Sequence, residues 1–159
     1  MALSIRQAVR ALLLDEHDHL LLVRFEFPTA TVWALPGGGL EPDEDPTDGL
    51  RRELHEELGL DDPEIGPYIW TRLHIISMNT GHDGQLDHVH LVRIERFEPV
   101  PAIGWDRLRA ELVHEMRWWS LTEIEQAPEA TLFAPRNLAQ LTRTLLRDGP
   151  SSTPIETGV

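Results

Sequence analysis

The sequence predicts an α/β domain in which a mixed β-sheet lies between helices. Aliphatic runs of strand length fill the first quarter of the chain and recur after Ile65. Leu50, Leu54 and Leu58 recur every fourth residue, the spacing of one helix face. Leu138, Leu141 and Leu145 repeat that pattern near the C-terminus. A chain of 159 residues suits one domain with a sizeable core.

The elements follow in order. Gln7–Asp15 and His19–Phe25 read as antiparallel strands around a polar turn, and Trp33–Leu35 as a short strand feeding the glycine-rich loop Pro36-Gly37-Gly38-Gly39. Asp45 is a good N-cap, Pro46 suits the first helical position, and Asp48 favours the positive end of the helix dipole. Gly59 then ends that helix as a C′ residue. Gly49 is anomalous inside it, because mid-helix glycine costs about 1 kcal/mol against alanine. A side chain missing there lets a loop or a metal approach. Ile65–Met78 and Leu86–Phe97 suggest a long hairpin, Met116–Ser120 a strand, Thr122–Gln126 a helical turn, and Pro135–Arg147 an amphipathic helix. The domain is expected to span residues 1–147, with 148–159 a flexible tail.

Composition excludes several chemistries. Cysteine is absent, so disulfides, thiolate metal sites and cysteine nucleophiles are ruled out. All 14 basic residues are arginines, which removes any lysine Schiff base or P-loop lysine. A net charge of −13 argues against stable nucleic-acid binding, and no apolar run is long enough to span a membrane. The N-terminus lacks the pattern of a signal peptide, so a cytoplasmic location is expected. The same charge poses a problem for any polyphosphate substrate, which metal ions would have to bridge.

Glu53, Glu56 and Glu57 stand one helical turn apart and share a face. Three carboxylates there repel one another. A hard divalent cation removes that repulsion, and Mg2+ is held by a few carboxylates together with substrate phosphates. Arg52 is within reach of Glu56 and could hold its carboxylate in one rotamer. The bland alternative is a solvated acidic helix with an ordinary surface ion pair.

The spacing favours the first reading. Gly38, Glu44, Arg52, Glu53, Leu54, Glu56, Glu57, Gly59 and Leu60 fill every defined position of G-x5-E-x7-R-E-U-x-E-E-x-G-U, U being bulky and aliphatic. With seven fixed types at roughly 5–9% each, chance gives this less than about once in ten million. The segment resembles the signature of the Nudix hydrolases. The resemblance implies an α/β/α sandwich and Mg2+- or Mn2+-dependent attack by water on a nucleoside diphosphate linked to another group. It implies metal held by Glu53, Glu57 and Glu56, with the Gly38 carbonyl, while Glu44 orients or supplements the site and Arg52 supports it. Glu56, or a downstream acid such as Glu115 in HEMRWW, would be the base. Glu111, Glu95 and Glu98 are weaker candidates.

Other residues carry two readings. Arg24 and Arg72 could bind phosphate or form surface ion pairs. Trp118 and Trp119 point to opposite faces of a strand, so Trp118 could stack on a base while its neighbour packs. His88 and His90 share a strand face, with His74 on the facing strand, as a conceivable metal site or as hydrogen-bonded strand histidines. The proline and tyrosine that mark ADP-ribose and dinucleoside-polyphosphate types are missing where Ile75, Ile76 and Ser77 stand. That favours a nucleoside triphosphate, intact or oxidised, as in MutT-like enzymes. ADP-ribose, nucleotide sugars and dinucleoside polyphosphates are the alternatives, and a nucleotide-sensing module without turnover is the rival class. Isoprenoid diphosphate isomerisation, which commonly needs a cysteine, is disfavoured. The tryptophans and the long hairpin could support a homodimer.

Overall fold

The computed structural model describes residues 2–75 and 81–159. Among the described residues nine strands form one mixed sheet: β1 (Ile5–Leu14), β2 (Leu20–Glu26), β3 (Thr31–Ala34), β4 (Gly37–Gly39), β5 (Tyr68–Ile75), β6 (Gly84–Arg93), β7 (Val113–Trp119), β8 (Leu132–Ala134) and β9 (Ile155–Glu156). The helices are α1 (Pro46–Leu58), α2 (Trp105–Ala110), α3 (Leu121–Glu125) and α4 (Leu138–Asp148). The main path runs β8-β3-β2-β1-β6-β5-β9, with β4 on β1 and β7 on β2. Among the described residues no helix is long and apolar enough to cross a membrane.

The period-two alternation of β1 and β2 builds two cores. Leu12, Leu14, Leu20 and Leu22 pack on one face with Trp70, Leu138 and Leu145. Val9, Ala11, Leu13, Leu21 and Val23 pack on the other with Leu50, Leu54, Leu58 and Leu108. Both strands are covered on both faces, which is why they read as continuous aliphatic runs. Each leucine so buried contributes about 1.5–3 kcal/mol. The predicted α/β/α layering is what forms.

The predicted pairing of the first two strands is only partly realised. β1 meets β2 at Leu14↔Leu20, then diverges. Its N-terminal half pairs instead with the glycine segment, Ala8↔Gly39 to Arg10↔Gly37, and along its length with parallel β6. The glycines read as a loop are therefore a short strand. The hairpin forms with β5 and β6 antiparallel. The part of its predicted first strand that includes Ile76, Ser77 and Met78 lies outside the described residues.

The C-terminal segment departs from its expected flexibility. Ile155 and Glu156 add a parallel strand to the edge of β5. The Thr157 N–H donates to the Thr71 carbonyl at 2.9 Å, and the Arg136 N–H to the Val159 carbonyl at 3.1 Å. The polar, Pro- and Gly-containing sequence hid this because the ordering comes from backbone bonds to an unpaired edge. α2 and β8 were also not foreseen. Truncation after Gly149 is expected to lower the melting temperature by a few degrees in thermal unfolding. An unchanged melting temperature would show that the β5 edge gains nothing from β9.

Candidate active site

Helix α1 begins and ends as its sequence dictates. The Asp45 carboxylate accepts from the Thr47 N–H at 2.9 Å and the Asp48 N–H at 3.3 Å, with Pro46 opening the first turn. Gly59 closes the helix at φ 72°. The leucine stripe on the sheet sets the helix rotation, and that rotation turns Glu57 inward, where it is 4% exposed.

Arg52 organises the acidic side. Its Nε and Nη2 donate to the two oxygens of Glu44 at 2.8 and 2.9 Å, and Nη2 also to the Gly39 carbonyl at 3.1 Å. Its Nη1 donates to Glu53 at 3.0 Å and to Glu56 at 3.4 Å. The expected Arg52–Glu56 pair is thus one edge of a larger clamp. Glu44 has both oxygens engaged by Arg52, one of them also by the Glu41 N–H. Glu44 therefore holds the arginine, and the ion pair keeps its carboxyl well below the usual range, at about 2.

The glycine strand brings backbone to the carboxylates. The Gly37 N–H donates to the buried Glu57 carboxylate at 3.1 Å. A Cβ on Gly38 would lie 2.6 Å from the Glu53 carboxyl carbon, so a larger residue there would displace that carboxylate. Burial raises the proton affinity of Glu53, and that of Glu57 further, to about 8. Arg10 and the Gly37 N–H oppose the Glu57 shift without cancelling it. Glu53 adds to that shift, and so does Glu111 from the loop after α2.

These groups suit a hard divalent ion: oxygen donors only, crowded and poorly solvated in the absence of added positive charge. Among the described residues, no three acidic or histidine side chains are drawn close enough to enclose an ion.

The remaining predicted residues scatter. Arg24 Nε donates to Glu115 at 3.0 Å, directly across the β2–β7 ladder, and Arg24 also pairs with Glu26. Glu115 is half-exposed, and among the described residues no hydrogen bond or ion pair joins it to Glu53, Glu56 or Glu57. Trp118 is committed to packing: its indole N–H donates to the Phe97 carbonyl at 3.0 Å, and Phe97 meets its ring edge-on. Trp119 packs in the opposite core against Trp33 and Phe133. His88 and His90 stay on one face beside Tyr68, and only His74 separates from them. His88 accepts from the Tyr68 hydroxyl and bonds Gln7, and His90 stacks on Tyr68. His74 is in register with Gln85 and so lies on the other face, among Arg72 and Asp87.

Arg72 belongs to a network that the sequence reading missed. Its Nη1 donates to Asp87 at 3.3 Å, and Arg10 Nε donates to the same carboxylate at 3.1 Å. The field of Arg10 reaches Glu57 and Glu53. The available signal was a charged residue at an inward position of each of two aliphatic strands, β1 and β6.

Residues 4–141 match the NUDIX domain family. The chain belongs to the Nudix family. A nucleoside triphosphatase, NudI, of Escherichia fergusonii is 44% identical over 62 residues, which are 38% of this chain and 43% of that protein. The chain thus spans less than half the length of the curated relatives it matches. Among solved structures, a MutT protein from Methanosarcina mazei Go1 superposes with a TM-score of 0.68 at 21% identity, covering 95% of this chain and 99% of that one. The NUDIX domain of Shewanella oneidensis NrtR, solved with ADP ribose, gives 0.66 at 23% identity, covering 90% and 89%. At these identities the structural neighbours establish the Nudix fold.

Two predictions follow from this geometry. With Glu57 titrating near 8 in the folded chain against an ordinary 4.5, the unfolded chain binds fewer protons between those values. The metal-free protein should therefore lose stability as pH rises through that window. Mg2+ should raise the melting temperature more at the alkaline end, and Glu57→Gln should flatten the slope, both read by scanning fluorimetry. Parallel melting curves for wild type and variant would refute the assignment. At Gly49, an added Cβ would lie 2.4 Å from Leu40 Cδ2 and 2.8 Å from the Arg52-bound Glu44 carboxylate. Gly49→Ala should lower the melting temperature despite its better helix propensity. A rise of the size propensity alone gives, about 1 kcal/mol, would show that Glu44 yields freely.

Proposed function

We propose that this protein hydrolyses a pyrophosphate bond in a nucleoside diphosphate linked to another group, with a nucleoside triphosphate, intact or oxidised, as substrate. The observation that carries this reading is the juxtaposition of Gly37–Gly38 with Glu53 and Glu57 on a helix whose neighbouring residues supply the rest of the Nudix signature. Glu53, Glu57 and Glu56 would hold Mg2+, or Mn2+ in its place, with the Gly38 carbonyl. When bound, the ion neutralises the diphosphate and lowers the proton affinity of the attacking water. Triphosphate is favoured by the likeness to NudI.

Each side chain has a part. Glu57, anchored by the Gly37 N–H, fixes the inner wall of the site. Arg52 restrains Glu53 and Glu56, so each carboxylate loses less rotamer freedom on loading. Glu56, the more exposed of the two partners on Arg52 Nη1, takes the proton of the attacking water. Glu115 is left to orient Arg24, because among the described residues no hydrogen bond or ion pair joins it to the carboxylates of α1.

The test is product release from a panel of canonical and oxidised triphosphates, ADP-ribose, dinucleoside polyphosphates and nucleotide sugars, in Mg2+, Mn2+ or EDTA. Turnover should require metal and be greatest with a triphosphate. It should fall by at least roughly 10²–10⁴-fold in the Glu56→Gln, Glu57→Gln double variant. Tight binding across the panel without turnover would replace the hydrolase reading with a nucleotide sensor.

A further inference from the structure

An acidic protein that binds a polyanion needs fixed positive charge where the metal does not reach. The −13 net charge makes any concentration of cations conspicuous. One such concentration gathers around Arg10, whose charge reaches Glu57 and Glu53. Arg10 on β1 is in register with Val89, and its neighbour Ala8 with Asp87 on β6, while Arg72 on β5 stands directly opposite Asp87. All three side chains meet there, far apart in sequence.

We propose that Arg10 and Arg72, held side by side by the buried Asp87, form a phosphate-binding pair that grips the oxygens of the substrate's phosphate chain left free by the metal. This rests on the hydrolase reading above and deepens it. Asp87 is the positioning residue and the arginines are the substrate contacts.

The geometry separates this from a purely structural ion pair. Asp87, 2% exposed, is satisfied three ways: by Arg10 at 3.1 Å, by Arg72 at 3.3 Å and by Gln85 at 2.8 Å. One arginine would neutralise it; two leave a surplus positive charge. Arg10 spends Nη1 on the Leu35 carbonyl at 2.9 Å, which fixes its guanidinium plane. Arg72 Nε is buried and has no hydrogen-bond partner among the described residues. A buried donor of that kind is costly unless a ligand or water meets it. Arg6, bonded to Gln85 at 2.9 Å, closes the network and lends further positive potential. A guanidinium fork matches phosphate oxygens, and one held by a carboxylate is oriented before the ligand arrives.

Tripolyphosphate in EDTA isolates this pair from the metal. Calorimetry should detect binding to the wild type, weakened with rising salt. Arg72→Met should weaken it by roughly ten- to a hundred-fold, and Asp87→Asn by a smaller factor, while Arg72→Lys recovers part of the loss. With a hydrolysable substrate and metal, Arg72→Met should raise KM more than it lowers kcat. Equal tripolyphosphate affinity in wild type and Arg72→Met, or no binding by the wild type, would overturn the proposal. If Arg72→Met fails to fold, the comparison of Arg72→Lys with wild type decides, equal affinity again overturning it. Because the binding arm contains no metal and no turnover, its failure is distinct from failure of the hydrolase reading, which the nucleotide panel tests.

Discussion

The guanidinium of Arg52 touches Glu44, Glu53, Glu56 and the Gly39 carbonyl, and the acidic side of α1 depends on it. Without that cation three carboxylates on adjacent turns would repel one another and the loop before the helix would lose its tie. Arg52 lies 24% exposed, where its charge is screened less than on an open surface. Glu44, Arg52 and Gly39 form a closed set in which each partner orients the next. Gly49 keeps that set compact by leaving room for Leu40 and Glu44. The signature is therefore as much a folding unit as a chemical one.

A second constraint is the divergence of β1 from β2. The opening is filled by Gly37–Gly39, whose backbone bonds to β1 replace a continuous hairpin ladder. That substitution delivers the Gly37 N–H to Glu57 and sets Gly38 against Glu53. Burial of Glu57 follows, and with it the raised proton affinity that a bound cation would relieve. The same segment of β1 carries Arg10, which bonds Asp87 and whose charge reaches Glu57 and Glu53. The carboxylates thus feel two arginine-centred networks in a protein whose overall charge is strongly negative.

What the sequence by itself determined is local. Asp45, Pro46 and Gly59 define the ends of α1, the leucines define its buried face, and the spacing from Gly38 to Leu60 defines the family, because every one of these signals acts within a few turns of chain. The α/β/α layering was also legible, since strands covered on both faces must be aliphatic throughout. Tertiary structure decided the rest. Arg10 meets Asp87 across 77 residues only because β1 and β6 pair in one register. His74 leaves the other histidines because the β5–β6 register sets it opposite Gln85. Trp118 packs because Phe97 comes to meet it, and β9 forms because β5 offers an unpaired edge. Partners brought together by register and edge pairing leave no periodic trace in either segment, so only the folded sheet reveals them.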